Sequence, residues 1–275
     1  MKESGRKIRI ALLGLGTVGG GVYKLMQRRR EELPLRVHQA ELEIVKVLVR
    51  DLTKKREGIP SEILTDDWES IVNDPQIDIV IELMGGITPA HTYIRQALEA
   101  GKHVVTANKD LIAEHGGELL DLAEKHHCDL LFEAAVGGGI PIIRPLKECL
   151  EGNEITEVMG IVNGTTNYIL TKMTQEGMDF EEALKKAQEL GFAEADPTAD
   201  VEGLDAGRKM AILASIAFHS RVRFQDVEVK GITKITAKDI RYANEFGYTL
   251  KLLGVARNTG DGIEVGVFPM MIPSS

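Results

Sequence analysis

The sequence lacks three features that would each indicate a different class of protein. It has only two cysteines, Cys128 and Cys149, and no C-x-x-C motif, so a disulfide framework is not expected and a reducing cytoplasm is the simplest location. Basic residues are not in excess: the net charge of −9 disfavours nucleic acid or an anionic membrane surface as the main partner. There is also no secretory signal and no apolar run long enough to span a bilayer. The 275 residues, 43% of them hydrophobic, suffice for one large or two modest packed domains.

The stretch from Ile8 to Gly21 is the most informative part of the chain. A short apolar run, typical of a strand buried on both faces, leads into glycines 14, 16 and 19, which fit G-x-G-x-x-G, and a helical apolar spacing follows. In a dinucleotide-binding fold these glycines form the tight turn, let the pyrophosphate approach and let helix and strand pack closely. The helix N-terminus then faces the phosphates. A glycine-rich turn without a ligand is the alternative. The predicted cofactor contacts are Gly14, Leu15, Gly16, Thr17, Val18 and Gly19.

The end of the second predicted strand, Glu43–Val49, bears on the choice of cofactor. Folds that prefer NAD usually end this strand in an acidic residue that binds the ribose 2′-hydroxyl. Here Arg50 stands at that point and Asp51 follows. An arginine suits a 2′-phosphate, so the sequence favours NADP, while Asp51 keeps NAD open.

Strands alternate with helices through the first half, which predicts a doubly wound parallel sheet over residues 1–135. The first helix is expected to run to about Glu32. Thr88 and Pro89 are expected to begin a later helix as N-cap and N1, and Gly101 to end it. Gly85 follows a strand at the carboxyl edge, where such sheets bind ligands. The later strands are Ile77–Met84, Lys102–Ala107 and Asp129–Ala134.

The regular alternation of strands and helices ends at the glycine segment 136–141, where a domain junction is expected. Beyond it the pattern predicts an α+β domain over residues 136–275. A long strand, Ile155–Val162, precedes several helices, among them Leu204–Phe218. Two strands, Tyr248–Arg257 and Ile263–Met270, are expected to pair antiparallel through a turn.

The densest polar group in the chain includes Glu194, Asp196, Asp200, Asp205 and Lys209. Asp205 and Lys209 are four residues apart, so they share one face of a helix. An exposed ion pair is the simplest explanation. Gly207 lies inside the same helix, where glycine costs roughly 1 kcal/mol relative to alanine, and this favours a ligand close to the backbone there. Both interpretations stay open on spacing alone.

Lys109 is a second candidate, because it follows a strand at the ligand edge and a tuned lysine can act as a general acid. An ordinary lysine at a helix start is the alternative. The seven histidines show no metal-ligand spacing. Neither cysteine stands in the glycine-rich turn expected of an acylated thiol nucleophile, which disfavours a phosphorylating semialdehyde dehydrogenase.

Taken together, the motifs resemble those of homoserine dehydrogenase, from about Lys7 to the last residues. They are GLGTVGGG at 14–21, ELMGG at 82–86, TANKDL at 106–111, EAAVGGGIP at 133–141, GIVNGTTNYIL at 160–170 and EADPTADVEGLDAGRK at 194–209. The family interconverts L-homoserine and L-aspartate 4-semialdehyde with NAD(P), in threonine and methionine biosynthesis.

The resemblance implies a role for each matching residue. Lys209 matches the catalytic lysine that exchanges a proton with the reacting oxygen, and Lys109 matches a second lysine near the nicotinamide and substrate. Glu194, Asp200 and Asp205 match acids that hold the substrate or lie on its proton path. A monovalent cation, expected to be sodium, is implied with mostly carbonyl ligands. The matching positions are Glu133, Val136, Gly138 and Ile140.

The resemblance leads to further expectations, and two rival functions stay open beside it. Family chains continue beyond the point where this one stops, so this chain is expected to be a partial one. The apolar strands of the second half allow a homodimer. The rival functions are another NAD(P) oxidoreductase acting on a different amino or hydroxy acid, and a dinucleotide-binding regulatory module without catalysis. The α-carboxylate of the substrate needs donors, for which the N–H groups near residues 163–166 are candidates.

Overall fold

The computed structural model describes residues 6–274. The five residues before them and Ser275, which begin and end the two predicted domain ranges, lie outside this part. Contacts between Cα atoms divide the chain into two compact units, the first ending at Gly138 and the second beginning at Gly139. The cofactor and substrate roles assigned to residues 1–135 and 136–275 remain predictions.

The first unit is built around a six-stranded parallel sheet. Its strands are β1 (Lys7–Leu13), β2 (Glu41–Leu48), β3 (Leu64–Thr65), β4 (Ile79–Glu82), β5 (His103–Thr106) and β6 (Leu130–Leu131). Its helices are α1 (Thr17–Arg28), α2 (Leu33–Arg36), α3 (Glu69–Val72), α4 (Ala90–Glu99) and α5 (Lys109–Lys125). The strand order β3-β2-β1-β4-β5-β6 is that of a dinucleotide-binding sheet, which confirms the predicted doubly wound fold.

Strand β1 lies in the middle of this sheet, paired with β2 on one side and β4 on the other. Leu12 and Leu13 are completely buried. Successive side chains of a strand point to opposite faces, so full burial of both leucines means that both faces are covered. Because β2 and β4 flank β1, the strand order changes direction at β1. In open α/β sheets ligands bind at the carboxyl ends of the strands at such a point.

Several predicted boundaries in the first unit were wrong. Helix α1 ends at Arg28 rather than near Glu32, because the backbone of Arg29 leaves helical angles. Pro89 rather than Thr88 occupies the cap position of α4, without a side-chain hydrogen bond. Gly101, with φ of +76°, follows that helix as predicted. The strand expected over Asp129–Ala134 pairs only in β6 and then gives way to a 3₁₀ turn at Glu133–Ala135.

The second unit combines a four-stranded mixed sheet with helices. Its strands are β7 (Glu157–Gly160), β8 (Glu228–Val229), β9 (Tyr248–Asn258) and β10 (Ile263–Pro273), in the order β7-β9-β10-β8. Its helices are α6 (Gly164–Glu176), α7 (Phe180–Glu189), α8 (Thr198–Val201), α9 (Leu204–Ala217) and α10 (Ala237–Glu245), with a short π-helical turn at Pro145–Cys149. The antiparallel pairing of β9 with β10 confirms the predicted hairpin. Across residues 6–274, no helix is both long and apolar enough to cross a membrane.

Two elements of the second unit differ from expectation. The long apolar strand predicted over Ile155–Val162 is ordered as a strand only in β7. Helix α10 was not predicted, although its sequence carries a start signal: Thr236 and Asp239 form a capping box, each side chain bonding the backbone N–H of the other. A serine or threonine followed three residues later by an acid is a recognisable signal of this kind.

We expect the Gly19→Ala substitution to destabilise the first unit, because a Cβ at Gly19 would overlap the carbonyl oxygen of Gly14. A forced backbone shift of this kind costs roughly 1–3 kcal/mol of unfolding free energy. Trp68, the single tryptophan of the chain, lies buried in this unit and reports its unfolding in urea by fluorescence.

The matched control is Gly20→Ala, one residue further along α1, where a Cβ meets nothing within 4 Å. Alanine is the better helix former by up to about 1 kcal/mol, so this variant should be as stable as the parent chain or more so. Equal midpoints for the two variants would contradict the assigned close contact.

Candidate functional site

The glycine turn after β1 has the geometry of a phosphate-binding loop. Gly14 adopts φ of +92°, and a Cβ there would lie 2.9 Å from the carbonyl oxygen of Leu83, so only glycine fits. Gly16 caps α1 and has nothing within 4 Å of the position that a Cβ would take. The first N–H groups of a helix have no partner inside it, and they attract anions. Thr17 begins α1, Val18 is exposed and Leu15 packs against the core.

A buried glutamate that was not predicted as a site residue organises the turn after β4. Glu82 is fully inaccessible to solvent. Its Oε1 accepts hydrogen bonds from the backbone N–H groups of Met84 at 2.8 Å and Gly85 at 3.2 Å. Gly85 itself has φ of +73° and is exposed, at the carboxyl edge of the sheet as predicted. A buried carboxylate requires such donors, so the turn is held rigidly in place.

The same glutamate connects this turn to the start of α5. The second carboxylate oxygen of Glu82 accepts from the hydroxyl of Thr106 at 2.7 Å, and that hydroxyl accepts from the N–H of Asn108 at 3.0 Å. The amide of Asn108 donates to the carbonyl of Gly86 at 2.6 Å, while its oxygen caps α5. Lys109, the first residue of α5, is therefore held at the carboxyl edge by groups on two neighbouring strands.

Arg50 follows β2 and is exposed. The carboxylate of Asp51 is engaged locally: it accepts from the N–H of Thr53 at 2.8 Å and from its hydroxyl at 2.6 Å. These bonds hold the pKa of Asp51 below its ordinary value. Both residues are exposed, but it is the Asp51 carboxylate whose hydrogen bonds hold the loop together.

The positions expected to bind a cation fall on both sides of the boundary between the units. Glu133 begins a 3₁₀ turn and Val136 is buried in extended backbone. Gly138, with φ of +58°, ends the first unit, and Ile140 lies in the second unit with 72% of its surface exposed. Their role stays a prediction.

The second unit contains a compact polar cluster around Lys209. The Nζ of Lys209 lies 2.6 Å from Oδ2 of Asp205 and donates to the carbonyl of Val162 at 2.8 Å. The Lys209 side chain is 18% exposed and that of Asp205 10%. Because both side chains are largely shielded from water, this pair differs from the exposed ion pair that the spacing left open as an explanation. Exposed pairs contribute little to stability.

Asn163 connects the acids of this cluster, and the sequence did not single it out. Its amide donates to Asp205 at 2.9 Å and to Asp200 at 2.7 Å. Its oxygen accepts from the N–H of Thr166 and so caps α6. The N–H of Thr166 was among the candidate donors for the substrate carboxylate, but it already donates to the side chain of Asn163.

Glu194 is placed differently from the other predicted acids. It is exposed, and its backbone carbonyl accepts from Gln188 at 3.1 Å. Asp200, Asp205 and Lys209 are linked directly or through Asn163, whereas among the described residues the hydrogen bonds of Glu194 involve only its backbone. Its contribution to a substrate site remains a prediction.

Gly207 has a structural explanation that replaces the one expected from sequence. A Cβ at this position would lie 2.8 Å from the ring of Phe224 and 2.9 Å from Val229. The groups close to the backbone of α9 at Gly207 are thus the apolar side chains of Phe224 and Val229 rather than a ligand. The inference of a ligand from Gly207 was wrong, although the cluster on the same helix is partly buried.

The cysteines do not contribute to either polar region. Cys128 is partly buried, and its thiol lies near the carbonyls of His126 and Leu98. Burial, with Asp129 close by, raises the pKa of Cys128 above its ordinary value. A thiol with a raised pKa is a poor nucleophile at neutral pH, which agrees with the sequence interpretation.

We expect Asn163→Ala to cost more unfolding free energy than the loss of a helix cap alone. It removes the cap of α6, worth about 1 kcal/mol, and it takes the amide donor of Asn163 away from both Asp200 and Asp205, which costs roughly 1–3 kcal/mol more. The urea midpoint measured by circular dichroism reports the difference. Asp179→Ala, which removes the exposed cap of α7, is the control. Equal losses in the two variants would contradict a bridging role for Asn163.

Comparison with known proteins covers both units. Residues 14–133 match the family model "Homoserine dehydrogenase, NAD binding domain", and residues 141–275 match the model "Homoserine dehydrogenase". The homoserine dehydrogenase of Bacillus subtilis (strain 168) is 54% identical over 271 residues, which are 98% of this chain and 62% of that protein. The chain thus spans less than two thirds of the length of the curated relatives it matches.

Comparison with solved structures points to the same family. A homoserine dehydrogenase from Thiobacillus denitrificans superimposes with a TM-score of 0.93 at 47% identity, over 98% of this chain and 63% of that one. A hyperthermophilic archaeal homoserine dehydrogenase in complex with NADPH gives 0.81 at 27% identity, over 98% and 83%. The matched family models, the identity to these relatives and the shared fold lead to one conclusion: the chain belongs to the homoserine dehydrogenase family.

Proposed function

We propose that this chain carries the cofactor and substrate parts of an enzyme that interconverts L-homoserine and L-aspartate 4-semialdehyde with NAD(P). The observation that carries the proposal is the partly buried Lys209–Asp205 pair, held by Val162 and Asn163 in a chain of this family. The first unit is proposed to bind the cofactor and the second unit the substrate.

Lys209 is suited to handle the proton of the reacting oxygen. An ammonium group has three N–H donors. Two of them are directed at Asp205 and Val162, so one is left for a substrate oxygen. In the reductive direction the aldehyde carbon gains a hydride and its oxygen gains a proton from Lys209. In the oxidative direction the hydroxyl of homoserine returns that proton to the amine. The nicotinamide, when bound, gives or takes the hydride.

The acids of the second unit are proposed to hold the α-ammonium group of the substrate. Asp200 is the best supported of them, because it is only partly buried and its carboxylate is oriented by Asn163. Glu194 is exposed, which leaves it available to a ligand. Asp205 is committed to Lys209 and Asn163, so its proposed role is to orient the lysine. Lys109, fixed at the carboxyl edge of the first sheet, is proposed to contact the nicotinamide or the substrate.

The direct test is nicotinamide reduction by this chain with L-homoserine, with NAD and NADP offered separately. Turnover is expected, and Lys209→Met should lower kcat by roughly 10²–10⁴-fold, the usual contribution of general acid–base catalysis. Binding of the cofactor, followed by its fluorescence, should stay unchanged in this variant.

Lys185→Met is the matched control, since Lys185 is an exposed lysine of the same unit. It should keep the parent kcat. Turnover of a different amino or hydroxy acid in place of homoserine would contradict the substrate. Cofactor binding without turnover of any substrate would favour a dinucleotide-binding module instead. Full activity in Lys209→Met would contradict the role of the lysine.

We infer that NADP is preferred over NAD. The support is local: the exposed Arg50 follows β2, where the ribose is bound in such folds, while the carboxylate of Asp51 is engaged by Thr53. A hyperthermophilic archaeal homoserine dehydrogenase was solved in complex with NADPH, so a member of the family binds this form of the cofactor.

The Arg50→Ala substitution tests this preference. Loss of one charge-assisted bond to the 2′-phosphate should raise the KM for NADP about tenfold or more and leave the KM for NAD nearly unchanged. Arg95→Ala is the control, because this arginine of α4 is paired with Glu99. An unchanged ratio of the two KM values in Arg50→Ala would count against the assignment.

The proposal has three further parts: a bound cation, a homodimer and a location in the cell. A monovalent cation, taken to be sodium, is supported by the turn at Gly137 and Gly138, both with positive φ, next to Glu133. A homodimer through the four-stranded sheet is supported by exposed apolar side chains on it, such as Met159 and Met271. A cytoplasmic location is supported by the unpaired state of both cysteines.

A further inference from the structure

Two histidines and a glutamate that take no part in the turns described above meet between helices α4 and α5. His91 lies in the first turn of α4, and His115 and Glu118 lie one helical turn apart on α5. The two helices pack against each other. One ligand atom from each of the three residues lies within 4.8 Å of those of the other two.

Two of the distances within this cluster are longer than ordinary hydrogen bonds and close to the separation of two ligands on one metal ion. Nε2 of His91 lies 3.5 Å from Oε2 of Glu118, and Nδ1 of His115 lies 3.7 Å from the same oxygen. Hydrogen-bonded N and O atoms are typically about 2.7–3.2 Å apart. Ligands that share a tetrahedral Zn²⁺, each about 2.0–2.1 Å from it, are about 3.3 Å apart.

His91 supplies the second observation. Its Nε2 is buried, yet it has no hydrogen-bond partner among the described residues. A buried polar atom without a partner is rare and calls for an explanation. The atom faces Glu118 without hydrogen-bond geometry, and the His91 and His115 rings lie 4.4 Å apart between centroids. A cation between the three groups would satisfy Nε2 and neutralise the carboxylate together.

We propose that His91, His115 and Glu118 form a binding site for one divalent transition-metal ion of the Zn²⁺ type. Two imidazoles and one carboxylate are a known Zn²⁺ donor set, and the exposed side of Glu118 leaves a fourth position for water. The ion would join α4 to α5, and α5 begins at Lys109. Since a metal that binds only the folded state raises its stability, the first unit should melt at a higher temperature with the metal bound.

The test uses the full chain, freed of metal with a chelator and then titrated with Co²⁺. We expect one equivalent to bind with the visible absorption bands of a four- or five-coordinate Co²⁺ ion, and Zn²⁺ to displace it. The melting temperature, followed by the fluorescence of Trp68, should rise with either metal. Absence of these bands at one equivalent would overturn the proposal.

Three variants locate the site: His91→Gln, His115→Gln and Glu118→Gln. Each should weaken Zn²⁺ binding about tenfold or more, because each removes one of three ligands. Glu118 is exposed and glutamine has nearly its shape, so Glu118→Gln should fold like the parent chain without metal. His126→Gln, at the end of the same helix, is the control and should bind like the parent. Parent-like affinity in Glu118→Gln, or loss of binding only in the control, would overturn the assignment.

Discussion

A carboxylate that is buried away from water must be given hydrogen-bond donors, and this requirement shapes the polar regions of both units. Glu82 is fully buried and Asp205 is nearly so. An ionised group in a low-dielectric environment is costly unless its lone pairs are satisfied. In each unit local donors are joined by one from a distant segment, Thr106 for Glu82 and Asn163 for Asp205, so meeting the requirement also connects the two segments.

The consequences differ between the two carboxylates. Glu82 receives backbone N–H groups and the hydroxyl of Thr106, and so orders the exposed turn at Gly85 and the start of α5. Asp205 accepts from the amide of Asn163 and from the ammonium of Lys209, and so orients the lysine that is proposed to exchange a proton with the substrate. The first arrangement orders the edge of the sheet where a nucleotide is proposed to bind, and the second fixes the position of Lys209, the proposed acid–base residue. Rigidity of this kind is what a site needs to hold its reactive groups in one geometry.

Much of the fold was predictable because the relevant signals are local. The apolar run before Gly14, the motif glycines and the turn before Ile263 each depend on neighbours a few residues away, and the sheet and the hairpin were confirmed. Errors arose where pairing partners decide the outcome. The runs 129–134 and 155–162 are both rich in apolar residues, but only residues with a paired neighbouring strand became β6 and β7. Asn163 was missed for the same reason, since its two acids lie 37 and 42 residues further along the chain.

The sequence by itself determined the class of sheet, the glycine loop and the set of motifs that identify the family. It did so because turn chemistry, hydrophobic periodicity and motif spacing are properties of the chain alone. Only the tertiary structure decided that the Lys209–Asp205 pair is buried and connected, that Gly207 accommodates Phe224, and that His91 meets His115 and Glu118. Burial and long-range contact depend on how helices and strands pack, and the spacing of residues along the chain does not report that packing.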